Sequence, residues 1–308
     1  MIAVLAGGVG AAKFLRGLID AVDAASVTII GNTADDEEFL GLHVSPDLDT
    51  VVYTLADAVH PEQGWGLADE TFRVQEQWKR FGGEEWFQLG DKDIATHLYR
   101  TRLLRDGASL TDITDRIARA FGLRCRLLPM SDGRVRTMVT TDGGEISFQE
   151  YFVRRRQQDE VRALRFDGAQ AARPAPGVLE AIAQAEAVIV APSNPLVSIG
   201  PLLAVPGVRQ ALVDTKAAVA AVSPIIGGRA LKGPADRMLA SLGHEVSATG
   251  VARLYRDFLD VLVLDEQDAA LAPAVEALGV RAAVTDTIMR DAASKRALAQ
   301  ATLRAVLG

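Results

Sequence analysis

Short apolar runs alternate along the chain with stretches of helical spacing, and this alternation predicts an α/β fold. Ile2 to Ala6 is apolar throughout and stops at Gly7-Gly8-Val9-Gly10. Apolar residues then recur at Ala11, Phe14, Leu15, Leu18, Ile19 and Val22, the periodicity of a helix. A second run, 27–30, follows Ser26 so closely that the opening reads as a βαβ unit with parallel strands. Further runs at 187–191, 217–222, 261–264 and 281–284, separated by helical patterns, extend this to a doubly wound, mostly parallel sheet.

The rhythm breaks over 67–160. Helical patterns are expected there at 70–81, 93–105 and 109–121, the last opening with the capping-box variant Ser109-x-x-Asp112. Two β-rich stretches follow, 124–128 and 135–141, with turn signals at Ser131-Asp132-Gly133 and Asp142-Gly143-Gly144, so a small antiparallel hairpin is expected. The organisation predicted is a Rossmann-like core of residues 1–66 and 161–308 carrying a largely helical insertion, 67–160. Arg173-Pro174-Ala175-Pro176-Gly177 is the candidate hinge.

Composition narrows the partners. The 308 residues are 49% apolar and 24% charged, ordinary for a folded enzyme-sized protein. The net charge of −7 lacks the basic footprint of a nucleic-acid binder. A lone cysteine, Cys125, forms no internal disulfide and no thiolate zinc cluster. The N-terminus has neither the basic nor the long apolar region of a signal peptide, and no apolar run reaches membrane-spanning length, so a cytoplasmic location away from membranes is expected.

Candidate chemistry gathers where strands end. Gly8-Val9-Gly10 lies between a strand and a helix, where glycines admit a ligand to the backbone and the helix N-terminus favours an anion. The dinucleotide fingerprint is incomplete: Lys13 stands at its third glycine, and Gly31-Asn32 stands where an acidic ribose-binding residue is usual, which disfavours NAD. No Gly-x4-Gly-Lys-Ser/Thr run is present. After the second strand come Asp35-Asp36-Glu37-Glu38 and then Ser45-Pro46-Asp47-Leu48-Asp49-Thr50. Two acidic clusters so close together suit a Mg²⁺ site serving phosphate chemistry, with Asp35, Asp36 and Asp49 as expected ligands and Asp47 or Ser45 as a helix cap.

Gly90-Asp91-Lys92-Asp93 precedes a helix, with His97 one turn beyond Asp93; taken alone the pattern is more often a capped helix start than a site. His43, His60 and His244 show no metal spacing. Past the strand at 187–191, Pro192-Ser193-Asn194-Pro195 with Ser198 offers hydroxyls and an amide to phosphate or sugar oxygens. Past 217–222, Gly227-Gly228-Arg229-Ala230-Leu231-Lys232 carries two cations suited to a diphosphate. Arg154-Arg155-Arg156 reads as a solvated or interface face.

Together these segments resemble the 2-phospho-L-lactate transferase family, CofD or FbiA, of deazaflavin coenzyme F-420 biosynthesis. The resemblance rests on Ala6 to Leu15, Ser45 to Thr50, Leu89 to Asp93 with His97, Pro192 to Pro195 with Ser198-Ile199, Ala230 to Pro234, and Gly250 to Tyr255. It implies transfer of a phospho-three-carbon-acid group, enolpyruvoyl or lactyl, from a guanosine diphosphate-activated donor to the ribityl hydroxyl of the deazaflavin Fo, releasing GMP with Mg²⁺. It implies acceptor contacts at Asp49, Lys92, Asp91 and His97, with Asp49 catalytic. Donor contacts are implied at Gly8, Val9, Gly10, Lys13, Ser193, Asn194, Ser198, Gly227, Gly228, Arg229 and Lys232. It further implies that the insertion covers the deazaflavin and that the protein is a homodimer. Two alternatives stand beside it. One is a non-enzymatic regulator of the YvcK type, binding a nucleotide sugar or dinucleotide, which has no need of the Asp-Leu-Asp and Gly-Asp-Lys-Asp segments together. The other is an oxidoreductase, which the missing ribose-binding acid disfavours.

Overall fold

The computed structural model describes all 308 residues. Seven parallel strands form the central sheet, in the spatial order Arg281–Thr285, Val261–Asp265, Ala218–Val222, Ala187–Val190, Ile2–Ala6, Val27–Gly31, Arg126–Pro129. From the first strand the chain therefore builds outward in one direction and then, from Ala187 on, in the other. The reversal leaves a crevice at the carboxyl ends of Ile2–Ala6 and Ala187–Val190, where open α/β sheets bind ligands.

The strands read as unbroken apolar runs because helices cover both faces. Alternate residues divide between two cores: Ala3, Leu5, Ile30 and Leu128 lie in one, and Ile2, Val4, Ala6, Ile29 and Leu127 in the other. Helices Gly8–Ala21, Pro46–Leu55, Leu110–Ala120 and Ala292–Leu307 back the second core. The first and last of these pack closely: a Cβ at Gly17 would overlap the Lys295 carbonyl group. Gly17→Ala gains helix propensity but has to push two backbones apart, so it is expected to cost about 1–3 kcal/mol net in urea unfolding. An unchanged midpoint would mean that the two helices separate freely.

All six strands expected from the pattern are present. The seventh corrects the hairpin expectation. Arg126–Pro129 does not pair with the stretch at 135–141; it is the parallel edge strand beside Val27–Gly31. Leu127 and Leu128 are both buried, so this strand needs cover on both faces. Arg136–Thr141 alternates buried and half-buried residues, the signature of a one-sided antiparallel sheet. It pairs with Gly144–Ser147 around Asp142-Gly143 and with Ala163–Asp167.

Three helices follow the interrupted region's pattern, at Arg73–Arg80, Asp91–Arg105 and Leu110–Ala120, and Ser109 caps the last by accepting the Asp112 N–H. The expected hinge at 173–177 is pinned instead: Ser131 bridges Pro174, Ser131 Oγ donates to the Arg173 carbonyl, and Ala175 is buried. No single helix is long and apolar enough to cross a membrane.

Candidate active site

The turn after the first strand is the centre of the site. Gly7 is extended, and Gly8, at φ +75°, opens the helix Gly8–Ala21. A Cβ on Gly7 would come within 2.8 Å of both Asp47 Oδ2 and Ser198 Cβ and 3.2 Å of Asn32 Cβ, so glycine here lets three other segments close on the turn. Gly10 packs under the Pro192 carbonyl with no room for a side chain. Ser193 is buried, and its Oγ accepts the Gly7 N–H at 3.3 Å.

On one side of the turn lies an acidic cluster. Asn32 Nδ2 donates to Asp35 Oδ2 at 3.1 Å and to Asp47 Oδ2 at 2.9 Å, holding two buried carboxylates about one nitrogen. Burial, reinforced by the Asp47 charge, drives the Asp35 carboxyl well above its ordinary value. Burial likewise pushes Asp47 to about 6, against the Asn32 and Gly8 hydrogen bonds. Asp36 is raised too, chiefly by burial, and its Oδ2 meets His43 Nε2 at 3.0 Å and Ser45 Oγ at 2.7 Å. The buried oxygens Asp35 Oδ1, Asp36 Oδ1 and Thr33 Oγ1 have no hydrogen-bond partner. Desolvated carboxylates facing a helix N-terminus, with oxygens unspent, fit a hard divalent cation.

Asp49 is not in this cluster. Residues two apart on a helix lie about 200° apart around it, so Asp47 and Asp49 leave the first turn of Pro46–Leu55 on opposite sides. Asp49 instead meets Arg100, whose Nη1 donates to Asp49 Oδ2 at 3.1 Å and whose Nη2 donates to Oδ1. Arg100 Nη1 also lies 3.2 Å from His97 Nδ1, which accepts because a guanidinium only donates, and His97 Nε2 lies 3.3 Å from Asp93 Oδ1. Tyr53 donates to the same Asp93 oxygen at 2.7 Å. Asp49, Asp93 and His97 are close enough together to hold a metal, but Arg100 already supplies the positive charge there.

The acceptor residues implied by the resemblance thus separate. Asp91 caps the neighbouring helix, accepting from Thr71 Oγ1 and the Arg73 and Val74 N–H groups. His97 is buried in the network just described. Lys92 is exposed, its Nζ donating to the Ala68 carbonyl at 2.9 Å.

On the donor side, Lys13 is half-buried. Its ammonium is held below its ordinary value first by burial and then by the charges of Lys232 and Lys295. Lys13 forms no salt bridge, and the charges of Lys232 and Lys295 both act on it. Asn194 caps the turn Pro195–Ile199, accepting from the Leu196 and Val197 N–H groups. Gly227 spends its N–H on Asp268; it and Gly228 form the exposed tip of a hairpin in which Arg229, also exposed, pairs with Ile226.

Sequence reasoning missed Asn32, Asp47 and Lys295 as site residues, and Arg100 as the partner of Asp49. A signal for Arg100 was present: Asp93, His97 and Arg100 share one helix face, and Asp49 and Tyr53 share another.

The family model for "2-phospho-L-lactate transferase CofD" matches residues 2–302. The phosphoenolpyruvate transferase of Streptomyces griseus is 47% identical over 308 aligned residues, covering 98% of this chain and 97% of its own. The 2-phospho-L-lactate transferase of Methanosarcina mazei is 41% identical, covering 98% and 99%. A crystal structure of a UPF0052 family protein from Bacillus halodurans superposes with a TM-score of 0.67 over 98% of this chain and 99% of its own; at 15% identity it speaks for the fold alone. With the family model matching nearly end to end and relatives this similar over almost their full length, the chain belongs to the CofD family of 2-phospho-L-lactate transferases.

Proposed function

We propose that this protein transfers a phospho-three-carbon-acid group, phosphoenolpyruvyl or 2-phospholactyl, from its guanosine diphosphate-activated form to the ribityl hydroxyl of Fo, releasing GMP. The observation that carries the reading is the buried Asp35–Asp47 pair set against the Gly7–Gly10 turn. Carboxylates at a turn suited to phosphate would repel it unless a cation stood between them, so Asp35 and Asp47, with Asp36 adjacent, would hold Mg²⁺. When bound, the ion neutralises charge on the transferring group.

In the reaction the acceptor hydroxyl oxygen bonds to the phosphorus nearer the acid, the bond from that phosphorus to the GMP phosphate oxygen breaks with its electron pair leaving on GMP, and the hydroxyl proton passes to water. Backbone N–H groups of the turn and Ser193 position the donor, and Lys13, Lys232 and Lys295 offset the charge of the departing phosphate. Lys92, with its ammonium at the surface, remains the acceptor-side contact. The same reading includes a cytoplasmic homodimer. Incubation with Fo and the activated donor should release GMP and form the phosphodiester only with a divalent cation. Absence of product, together with tight binding of UDP-sugars or NAD, would move the protein to the regulator reading.

The carboxyl shifts add a pH test. A carboxyl raised on folding makes the metal-free protein less stable as pH climbs from about 4, its unfolded value, through its folded value near 6. A dication takes the place of the proton. Millimolar Mg²⁺ should therefore raise the melting temperature by several degrees at about pH 7.5 and hardly at all at about pH 5. Equal shifts at both would place the ion elsewhere.

A further inference from the structure

The segment between the helices Pro46–Leu55 and Arg73–Arg80 doubles back on itself. Val59 bridges Leu67, the Ala68 N–H donates to the Ala58 carbonyl, and the Gly64 N–H to the His60 carbonyl. At its tip Gly64 and Gly66 both adopt the left-handed conformation, φ +75° and +68°, and present Trp65 between them. The tip stands against the turn at the centre of the site: a Cβ on Gly64 would lie 3.1 Å from Val9 Cγ1. The returning strand passes Lys92, whose ammonium is bound to the Ala68 carbonyl.

Trp65 itself is uncommitted. It is 43% exposed, pairs with no other aromatic ring, lies under no cation, and its indole N–H has no acceptor. Large aromatic side chains are normally used for their buried area, and indoles find a partner for the N–H. Here two glycines in a strained-for-others conformation hold an open indole one residue from the contact with Val9, while Leu67 beside it is buried and anchors the loop.

We propose that Trp65 is a stacking platform for a planar fused heteroaromatic ring at the mouth of the site. Under the transferase reading, on which this rests, two substrates carry such a ring: the deazaflavin of the acceptor and the guanine of the donor. Stacking on an aromatic side chain is tolerant of ring identity, so the experiment decides between them.

Wild type, Trp65→Phe and Trp65→Leu are titrated separately with Fo and with GDP in Mg²⁺, following Fo fluorescence and protein emission. Loss of about tenfold or more in affinity for one ligand in Trp65→Leu, with most of it restored in Trp65→Phe, is expected. Quenching of protein emission at saturation by that ligand should be smaller in Trp65→Phe than in wild type if Trp65 is its contact, since Trp78 and Trp86 still emit. A loss confined to Fo assigns the platform to the acceptor, and one confined to GDP assigns it to the donor. Both ligands binding Trp65→Leu within twofold of wild type would overturn the platform and leave the transferase reading standing. Failure of wild type to bind either would overturn both.

Discussion

Replacing Asp47 by asparagine is expected to lower turnover at least about 100-fold, while Fo still binds and the fold is retained. The substitution keeps the shape and one oxygen but removes the charge that, with Asp35, makes the cluster a cation site. Because Asp47 is driven up to about 6 chiefly by its burial, loss of its charge removes a folding penalty at neutral pH. Asp47→Asn should accordingly melt no lower than wild type without metal and gain little from added Mg²⁺. That separation, activity lost while metal-free stability is kept, is measured by GMP release and by thermal unfolding on the same preparations. A variant with near-normal turnover would show that Asp47 is only a buried acid in the first turn of a helix.

That Asp47 rather than Asp49 faces the glycine turn is a matter of helix geometry. Ser45 to Thr50 announces a helix start rich in acid, but which carboxylate faces the glycine turn depends on how the helix is rotated against the sheet. The neighbours fixing that rotation, Gly7, Asn32 and Ser198, come from three separate parts of the chain. Lys295 was hidden in the same way: its charge acts on Lys13 because the last helix packs on the first at Gly17. Asn194 and Gly227 look like ligand-binding residues in sequence, yet Asn194 Oδ1 caps its own turn and the Gly227 N–H is taken by Asp268, 41 residues along the chain. By contrast, the strands with both faces buried were plain, because two-sided burial leaves no polar alternation to confuse them. The pairing of Arg126–Pro129 was misread because the strand ends in proline and lies next to turn signals that suggested a hairpin. The Gly8–Gly10 turn was readable because glycines between an apolar run and a helical pattern mark a strand-to-helix turn whatever the order of the strands.

Asp49→Asn is expected to fail by a different route from Asp47→Asn, and the contrast separates the two acids. Asp49 neutralises Arg100, and both side chains are almost wholly withdrawn from water, at 4% and 1% exposure. Burial works against the guanidinium charge, and the Asp49 carboxylate is the main influence holding it on. Removing that carboxylate leaves a buried cation without a partner, a loss of about 3–5 kcal/mol. In a chain of this size that corresponds to a fall of roughly 5–8 °C in melting temperature. The seam through His97, Asp93 and Tyr53 loses its anchor as well, and with it the packing of Asp91–Arg105 on Pro46–Leu55. Turnover then falls because the helix that carries Asp47 is no longer held, and the loss should shrink on cooling. The double variant Asp49→Leu with Arg100→Met replaces the pair by apolar side chains and should recover much of the stability, since exchanging a buried ion pair for packed hydrophobic groups is often neutral. If Asp49→Asn melts within about 2 °C of wild type yet is inactive, Asp49 acts on the substrate directly and Arg100 serves only to orient it.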